Sequence, residues 1–264
     1  MREKISQWVF RFVKGCVKAF YPKMRVEGAE NLPGEPSIIV GNHCQMNGPI
    51  VGELYVPDEP YIWCAGEMMH RKDVPGYAFR DFWSGKPKWT HPFYKLLSHL
   101  IAPLSACIFN HARTIGVYHD TRILSTFKGT VKRLQEGRRV VIFPESDTPY
   151  NTIVYEFHDR FVDVAKLYYQ RTGKELSFVP MYVAPALKTI YFGCPIRFCG
   201  TESVEAERKR ISQYLMEQIT QIACSLPRHK VVPFKNIPKK QYPFNTPEAA
   251  ACQEKSGKGS EQWV

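Results

Sequence analysis

SIIVGNHCQMNGPI, residues 37–50, joins a short β-branched run to a histidine and then to a Gly-Pro turn. Ile38, Ile39 and Val40 favour a strand, and the polar residues after Gly41 end it. In open α/β sheets, ligands bind outside the carboxyl ends of the strands. His43 therefore stands where such a sheet does its chemistry. An imidazole titrates near neutrality, which makes His43 a candidate for taking a proton at pH 7. The alternative is a histidine that caps the turn or satisfies a backbone group.

The same strand-then-helix rhythm continues along the chain. YIWCAG at 61–66, TIGVY at 114–118, RVVIFPE at 139–145, LSFVPMYVA at 176–184 and TIYFGCPIRF at 189–198 read as further strands. Helical spacing covers 122–136, closed by Gly137 as a left-handed cap, then 157–170, then 203–225 behind Thr201 or Ser203. The alternation predicts a single α/β domain, with a mostly parallel or mixed central sheet and helices on both faces. Residues 1–24 precede it as a separate helical segment, the domain spans 25–234, and 235–264 form an extended or disordered tail rich in Pro, Lys, Gly and Ser. No chemistry is expected in that tail.

With 264 residues, 44% of them hydrophobic, the chain can bury a sizeable core, which excludes a fibrous or largely disordered protein. The net charge of +11 predicts attraction to polyanions without choosing among lipid headgroups, phosphorylated substrates and nucleic acid. Nucleic acid lacks the supporting patterns, since there is no RNP, helix-turn-helix or zinc-finger motif. The eight cysteines include no CxxC pair, so they read as buried thiols in a reducing compartment, and no metal site is expected.

Residues 4–20 place Ile5, Trp8, Val9, Phe12, Val13, Cys16 and Phe20 on one helical face, with Lys4, Arg11, Lys14 and Lys18 elsewhere. A basic amphipathic helix of this kind lies in an anionic headgroup layer or packs as the first helix of its own domain. Its cations also exclude a secretory signal. No uninterrupted apolar run of about twenty residues exists, which argues against a spanning helix; the nearest candidate, 96–109, contains His99, Pro103 and Ser105. Residues 66–95 mix aromatics with cations and lack clear periodicity, as a membrane-interface segment or a loop folded onto the domain would.

Four segments in order, GNHCQMNGPI at 41–50, GVYHDTR at 116–122, VIFPES at 141–146 and FVPMYV at 178–183, carry a resemblance. Together they are similar to the blocks of the lysophosphatidic acid (1-acyl-glycerol-3-phosphate) acyltransferase family, over roughly residues 25–200. The resemblance implies transfer of a fatty acyl group from a thioester, on coenzyme A or acyl carrier protein, to the hydroxyl of a lysophospholipid. It also implies His43 as the base, His119 and Arg122 on the acceptor's phosphate, and Phe143, Pro144, Glu145 and Ser146 lining the acceptor site. No cofactor is implied, and the partners are an anionic membrane surface, the lysolipid and the acyl donor. Its place would be the cytoplasmic face of a membrane, as a peripheral or monotopic protein. A hydrolase is the less favoured chemistry, because no GxSxG elbow is present.

The chain departs from the family at informative positions. The acid five residues after the histidine is replaced by Gly48, with Asn47 one position earlier as the stand-in; an amide orients a ring but does not stabilise imidazolium with a full charge. Glu53, Asp120, Glu145 and Asp147 are the carboxylates that could replace it. His119 stands for the usual Arg, Ser146 for Gly, and Thr148 where a cation is expected. A catalytically degenerate lipid-binding relative is therefore the alternative to an active enzyme.

Overall fold

The computed structural model describes residues 2–118 and 120–246. In chain order its principal elements are α1 (Arg2–Phe20), β1 (Arg25–Glu27), β2 (Ser37–Gly41), α2 (Asn47–Tyr55), β3 (Tyr61–Ala65), α3 (Val74–Ala78), α4 (His91–His111) and β4 (Thr114–Val117). There follow α5 (Ile123–Gln135), β5 (Val140–Ile142), β6 (Glu145–Pro149), β7 (Tyr155–Phe157), α6 (Asp163–Thr172), β8 (Ser177–Ala184), β9 (Thr189–Phe192), β10 (Ile196–Arg197) and α7 (Val204–Ser225). The fold is α/β, with a mixed sheet flanked by helices and an N-terminal helix. The chain forms two compact units, one of residues 1–22 with 61–130, the other of 23–60 with 131–264.

In the second unit, β2 pairs in parallel with both β5 and β8. Strand β9 runs antiparallel to β8 and parallel to β1, while β10 adds to β8 in the antiparallel sense. Every residue of β2, β5 and β8 is buried, as near-continuous apolar runs in the middle of a covered sheet require. Helix α7 packs along β8, and its start is capped by Ser203, whose hydroxyl accepts from the Ala206 N–H at 3.2 Å. Such a cap stabilises a helix by about 1 kcal/mol.

Three expected elements differ in this unit. The run 139–145 is not one strand: it leaves the sheet after Ile142, and Glu145 opens an antiparallel ribbon, β6 with β7. The prolyl ring of Pro144 has no N–H to continue a ladder. The helix expected from 157 begins at Asp163, because Phe157 is held in the ribbon opposite Glu145. The run 189–198 divides into two short strands, β9 and β10.

The C-terminal arm is packed as far as Thr246, where an extended or disordered tail was expected from 235. His229 is 5% exposed, with Nε2 2.8 Å from the Tyr182 hydroxyl. Buried Asn245 receives the His229 N–H on Oδ1 and donates through Nδ2 to the carbonyls of Ala223 and Leu226, which satisfies the end of α7. The part of that tail beyond 246 lies outside the described residues.

Helix α5 ends at Gly137, φ +80°, as its spacing predicts, and in the other unit β3 and β4 pair in parallel. Residues 66–95 do fold onto the unit: Met68, Val74 and Ala78 bury themselves with Ala102 of α4, and Tyr77, Phe82 and Trp83 pack around them. Helix α4 runs unbroken through Pro103, so the stretch Lys88–His111 is long and apolar enough to cross a membrane, by length and composition. The sequence expectation counted its polar residues as interruptions, but Ser98 and Ser105 return their hydroxyls to the carbonyls of Lys95 and Met68. Helix α1 lies against α4, with the Cys107 thiol on the Ser6 carbonyl at 3.3 Å and Phe10 stacked on His111.

Candidate functional site

Strand β2 delivers His43 just past its carboxyl end, and the turn that follows is unusual. Cys44 and Gln45 both have positive φ, 48° and 56°, a conformation non-glycine residues rarely adopt. Asn42 anchors the strand side of this turn. Its Oδ1 accepts the Val183 N–H at 2.7 Å, and its Nδ2 donates to the Val183 carbonyl at 3.2 Å, tying the ends of β2 and β8 together. On the helix side, the Gly48 N–H donates to the His43 carbonyl at 2.9 Å, and Asn47 donates to the Cys44 carbonyl through both its backbone N–H and Nδ2.

Of the candidate carboxylates, Glu145 is the one that reaches His43, and it does so through the main chain. Its Oε2 accepts the His43 backbone N–H, and its Oε1 accepts the Tyr155 N–H at 3.1 Å. The group is 6% exposed, and burial pushes its carboxyl up to about 7 against the pull of those two N–H donors. In this geometry each Glu145 oxygen accepts one backbone N–H, so the side chain fixes the main chain of the turn and of the ribbon. Between pH 4.5 and about 7 the folded chain keeps a proton that the unfolded chain releases, so this group's contribution to stability declines as pH rises through that window.

The imidazole itself lies between two aromatic rings. Phe143 meets it edge to face at 5.4 Å and 71°, and Phe234, from the C-terminal arm, does so at 5.5 Å and 84°. Phe234 also packs on Tyr155 at 5.7 Å. Burial lowers the pKa of His43 from 6.5 to about 4, with the Gln45 backbone acting weakly in the opposite direction. The ring is consequently neutral at pH 7. Nδ1 is buried and makes no hydrogen bond of good geometry with a side chain. Asn47 therefore does not hold the ring at Nδ1, contrary to its expected role.

Gly48 explains why no acid stands five residues after the histidine. A Cβ built there would lie 2.5 Å from the His43 carbonyl oxygen and 2.9 Å from Cε1 of Phe143. Both are closer than real Cβ contacts, and one is a backbone atom that carries a turn hydrogen bond. A side chain at 48 and this turn are incompatible.

The structure thus brings His43, Asn47, Phe143 and Glu145 together, with Pro144 buried behind them and Ser146 turned to Thr148 at the start of the ribbon. His119 lies outside the described residues. Arg122 belongs to the other unit, where Asp120 takes its Nε and Nη2 at 3.0 and 2.7 Å and its guanidinium lies 4.1 Å over the Tyr118 ring. That pairing holds the Asp120 carboxyl down at about 2. Among the described residues, no cluster of His, Cys, Asp and Glu is arranged to hold a metal.

Sequence reasoning missed Phe234, Asn42 and Gln45. Gln45 binds the arm at both ends of its amide: Nε2 donates to the Lys235 carbonyl at 3.1 Å, and Oε1 accepts from the Tyr242 hydroxyl at 3.2 Å. Nothing in the local pattern marks a residue nearly two hundred positions away as a neighbour of His43.

No family model and no curated protein matches the sequence. A crystal structure of the 1-acyl-sn-glycerophosphate (LPA) acyltransferase from Thermotoga maritima is similar, with a TM-score of 0.47 and 16% identity, over 84% of this chain and 83% of that one.

The geometry at Gly48 is directly testable. Gly48→Asp is expected to destabilise the protein by about 1–3 kcal/mol through overpacking, seen as a lowered unfolding midpoint, and not to raise any activity that depends on His43. A variant of unchanged stability whose Asp pairs with the ring would overturn that account of the turn.

Proposed function

We propose that this protein is an acyltransferase that moves a fatty acyl group from an acyl thioester to the hydroxyl of a lysophospholipid, with His43 as general base. The observation that carries this reading is an imidazole just past the end of a parallel strand, neutral at pH 7. An alcohol is a weak nucleophile at that pH. As its oxygen attacks the thioester carbonyl, Nε2 takes the hydroxyl proton. The tetrahedral intermediate then expels the thiolate, which receives that proton back from the imidazolium. Phe143 and Phe234 offer apolar walls for an acyl chain beside the reacting carbon, and Glu145 fixes the backbone from which the base projects. No cofactor takes part in these steps.

The lipid nature of the substrate is supported by a surface of the first unit. Ile5, Trp8 and Phe12 of α1 and Phe93, Leu96, Leu100 and Leu104 of α4 are exposed large hydrophobics. Lys4, Arg11 and Lys18 accompany the first set, and residues 84–111 contain Lys86, Lys88 and Lys95 with no Asp or Glu. Apolar and aromatic groups bordered by cations suit the anionic cytoplasmic face of a membrane. Ser98, Ala102 and Ser105 are buried on the opposite side of α4, so the helix offers lipid one face, as a monotopic contact does.

The missing partner at Nδ1 favours one other reading, a lipid-binding relative that has lost catalysis. Two experiments decide. Transfer of labelled palmitoyl from acyl-CoA and from acyl carrier protein to a panel of lysolipids is expected for the wild type, and to fall by a factor on the order of 10²–10⁴ in His43→Ala. Full turnover in that variant rules out the base; no transfer by the wild type with any pair leaves the binding protein. Separately, Leu96→Glu with Leu100→Glu is expected to weaken co-sedimentation with anionic vesicles roughly 100-fold, the loss of two buried leucines. Unchanged sedimentation would remove α4 from the membrane face.

A further inference from the structure

A histidine that serves as a base is ordinarily held by a hydrogen bond at its second nitrogen, which fixes both the ring orientation and the tautomer. At His43 no side chain supplies that bond: Nδ1 has no partner of good geometry, and the polar group acting on the ring is the Gln45 backbone. Gly48 leaves no room for the side chain that would supply it, and Glu145 reaches His43 at its backbone N–H and not at its ring. The rotation of an imidazole about its outer side-chain bond is broad and roughly two-fold. The groups packed on the ring bear on that rotation too.

The two edge-to-face rings are the groups in position to do so, and they stand on different elements. Phe143 follows β5 directly, and its place is set by the sheet. Phe234 arrives from the C-terminal arm and is set by contacts of its own: Tyr155 at 5.7 Å, and the two bonds that Gln45 makes just after it in the chain, with the next residue, Lys235, and with Tyr242. Further along, the arm is closed by the Lys230–Phe244 bridge and by buried His229 and Asn245. So the turn that carries His43 also grips the segment that carries Phe234. An arm that merely covered the sheet would have no need of bonds from Gln45, a residue strained at φ 56° two positions after the histidine.

We propose that Phe234 is a positioning residue for His43: together with Phe143 it clamps the imidazole edge to face and fixes the direction of Nε2, where a hydrogen-bonded carboxylate would otherwise act. This deepens the assignment of His43 as base and rests on it. The clamp also keeps water from the ring, in keeping with the low pKa that burial gives His43.

The test uses the full chain with Phe234→Leu, which fills the space without a ring, and Phe234→Tyr, which keeps the ring. Three readouts are taken: kcat and KM for acyl transfer, the unfolding midpoint, and the titration of the His43 ring by NMR. In Phe234→Leu, kcat is expected to fall roughly tenfold, the scale of a lost aromatic contact, with the unfolding midpoint little changed. The His43 midpoint is expected to rise from about 4 towards 6.5. Phe234→Tyr is expected to restore both. An unchanged kcat in Phe234→Leu, or equal losses in the Leu and Tyr variants, overturns the proposal. If the wild type transfers no acyl group, the titration still decides: a midpoint that does not move in Phe234→Leu also overturns it, whatever becomes of the enzyme assignment.

Discussion

The hydrogen bond from the His43 backbone to the buried Glu145 carboxylate is the constraint on which the site depends. It joins the ends of β2 and β5 just where both strands leave the sheet, and its second oxygen draws in β7 through Tyr155. Burying a carboxylate is costly unless donors surround it. Two backbone N–H groups supply that compensation here, and the raised pKa of Glu145 shows that they supply it only in part. Asn42 repeats the device on the other flank of β2, binding β8 through both ends of its amide. The turn from His43 to Asn47 is thus fixed on both sides, which is how two successive residues at positive φ are held there.

Fixing the backbone is a different matter from holding the ring. With a carboxylate at Nδ1, an imidazole gains basicity and a chosen tautomer. Packed among Phe143 and Phe234 instead, His43 loses basicity and is kept neutral over the physiological range. A neutral ring is always ready to accept a proton, but it is a weaker base, and the imidazolium formed in the transition state has no charge beside it for support.

Much of this was legible in the sequence, and what was missed has physical causes. Period-two and apolar runs located β2, β3, β4 and β8, Gly137 marked the end of α5, and Ser203 the start of α7, because each of those signals is local. The break after Ile142 and the delayed start of α6 were hidden, since the ribbon from Glu145 to Phe157 is set by pairing across an irregular register rather than by propensity. His43 could be named from its strand-end position, and Glu145 from the resemblance that VIFPES carries. That they meet through a backbone N–H, and that Gly48 is excluded from bearing a side chain, depends on a turn no spacing rule describes. Phe234 was invisible for a simpler reason: its segment is rich in proline and lysine, and the bonds that order it come from Gln45, Tyr182 and the end of α7.

The most direct test of His43 as a neutral, half-buried base is to measure its ring titration by NMR alongside the pH dependence of kcat/KM for acyl transfer. The protonated ring is the inactive form, so the rate is expected to hold down through pH 6.5 and to fall only as pH drops through about 4, at the midpoint of the ring titration. A ring that titrates near 6.5, or one whose titration leaves the rate unchanged, would contradict the account.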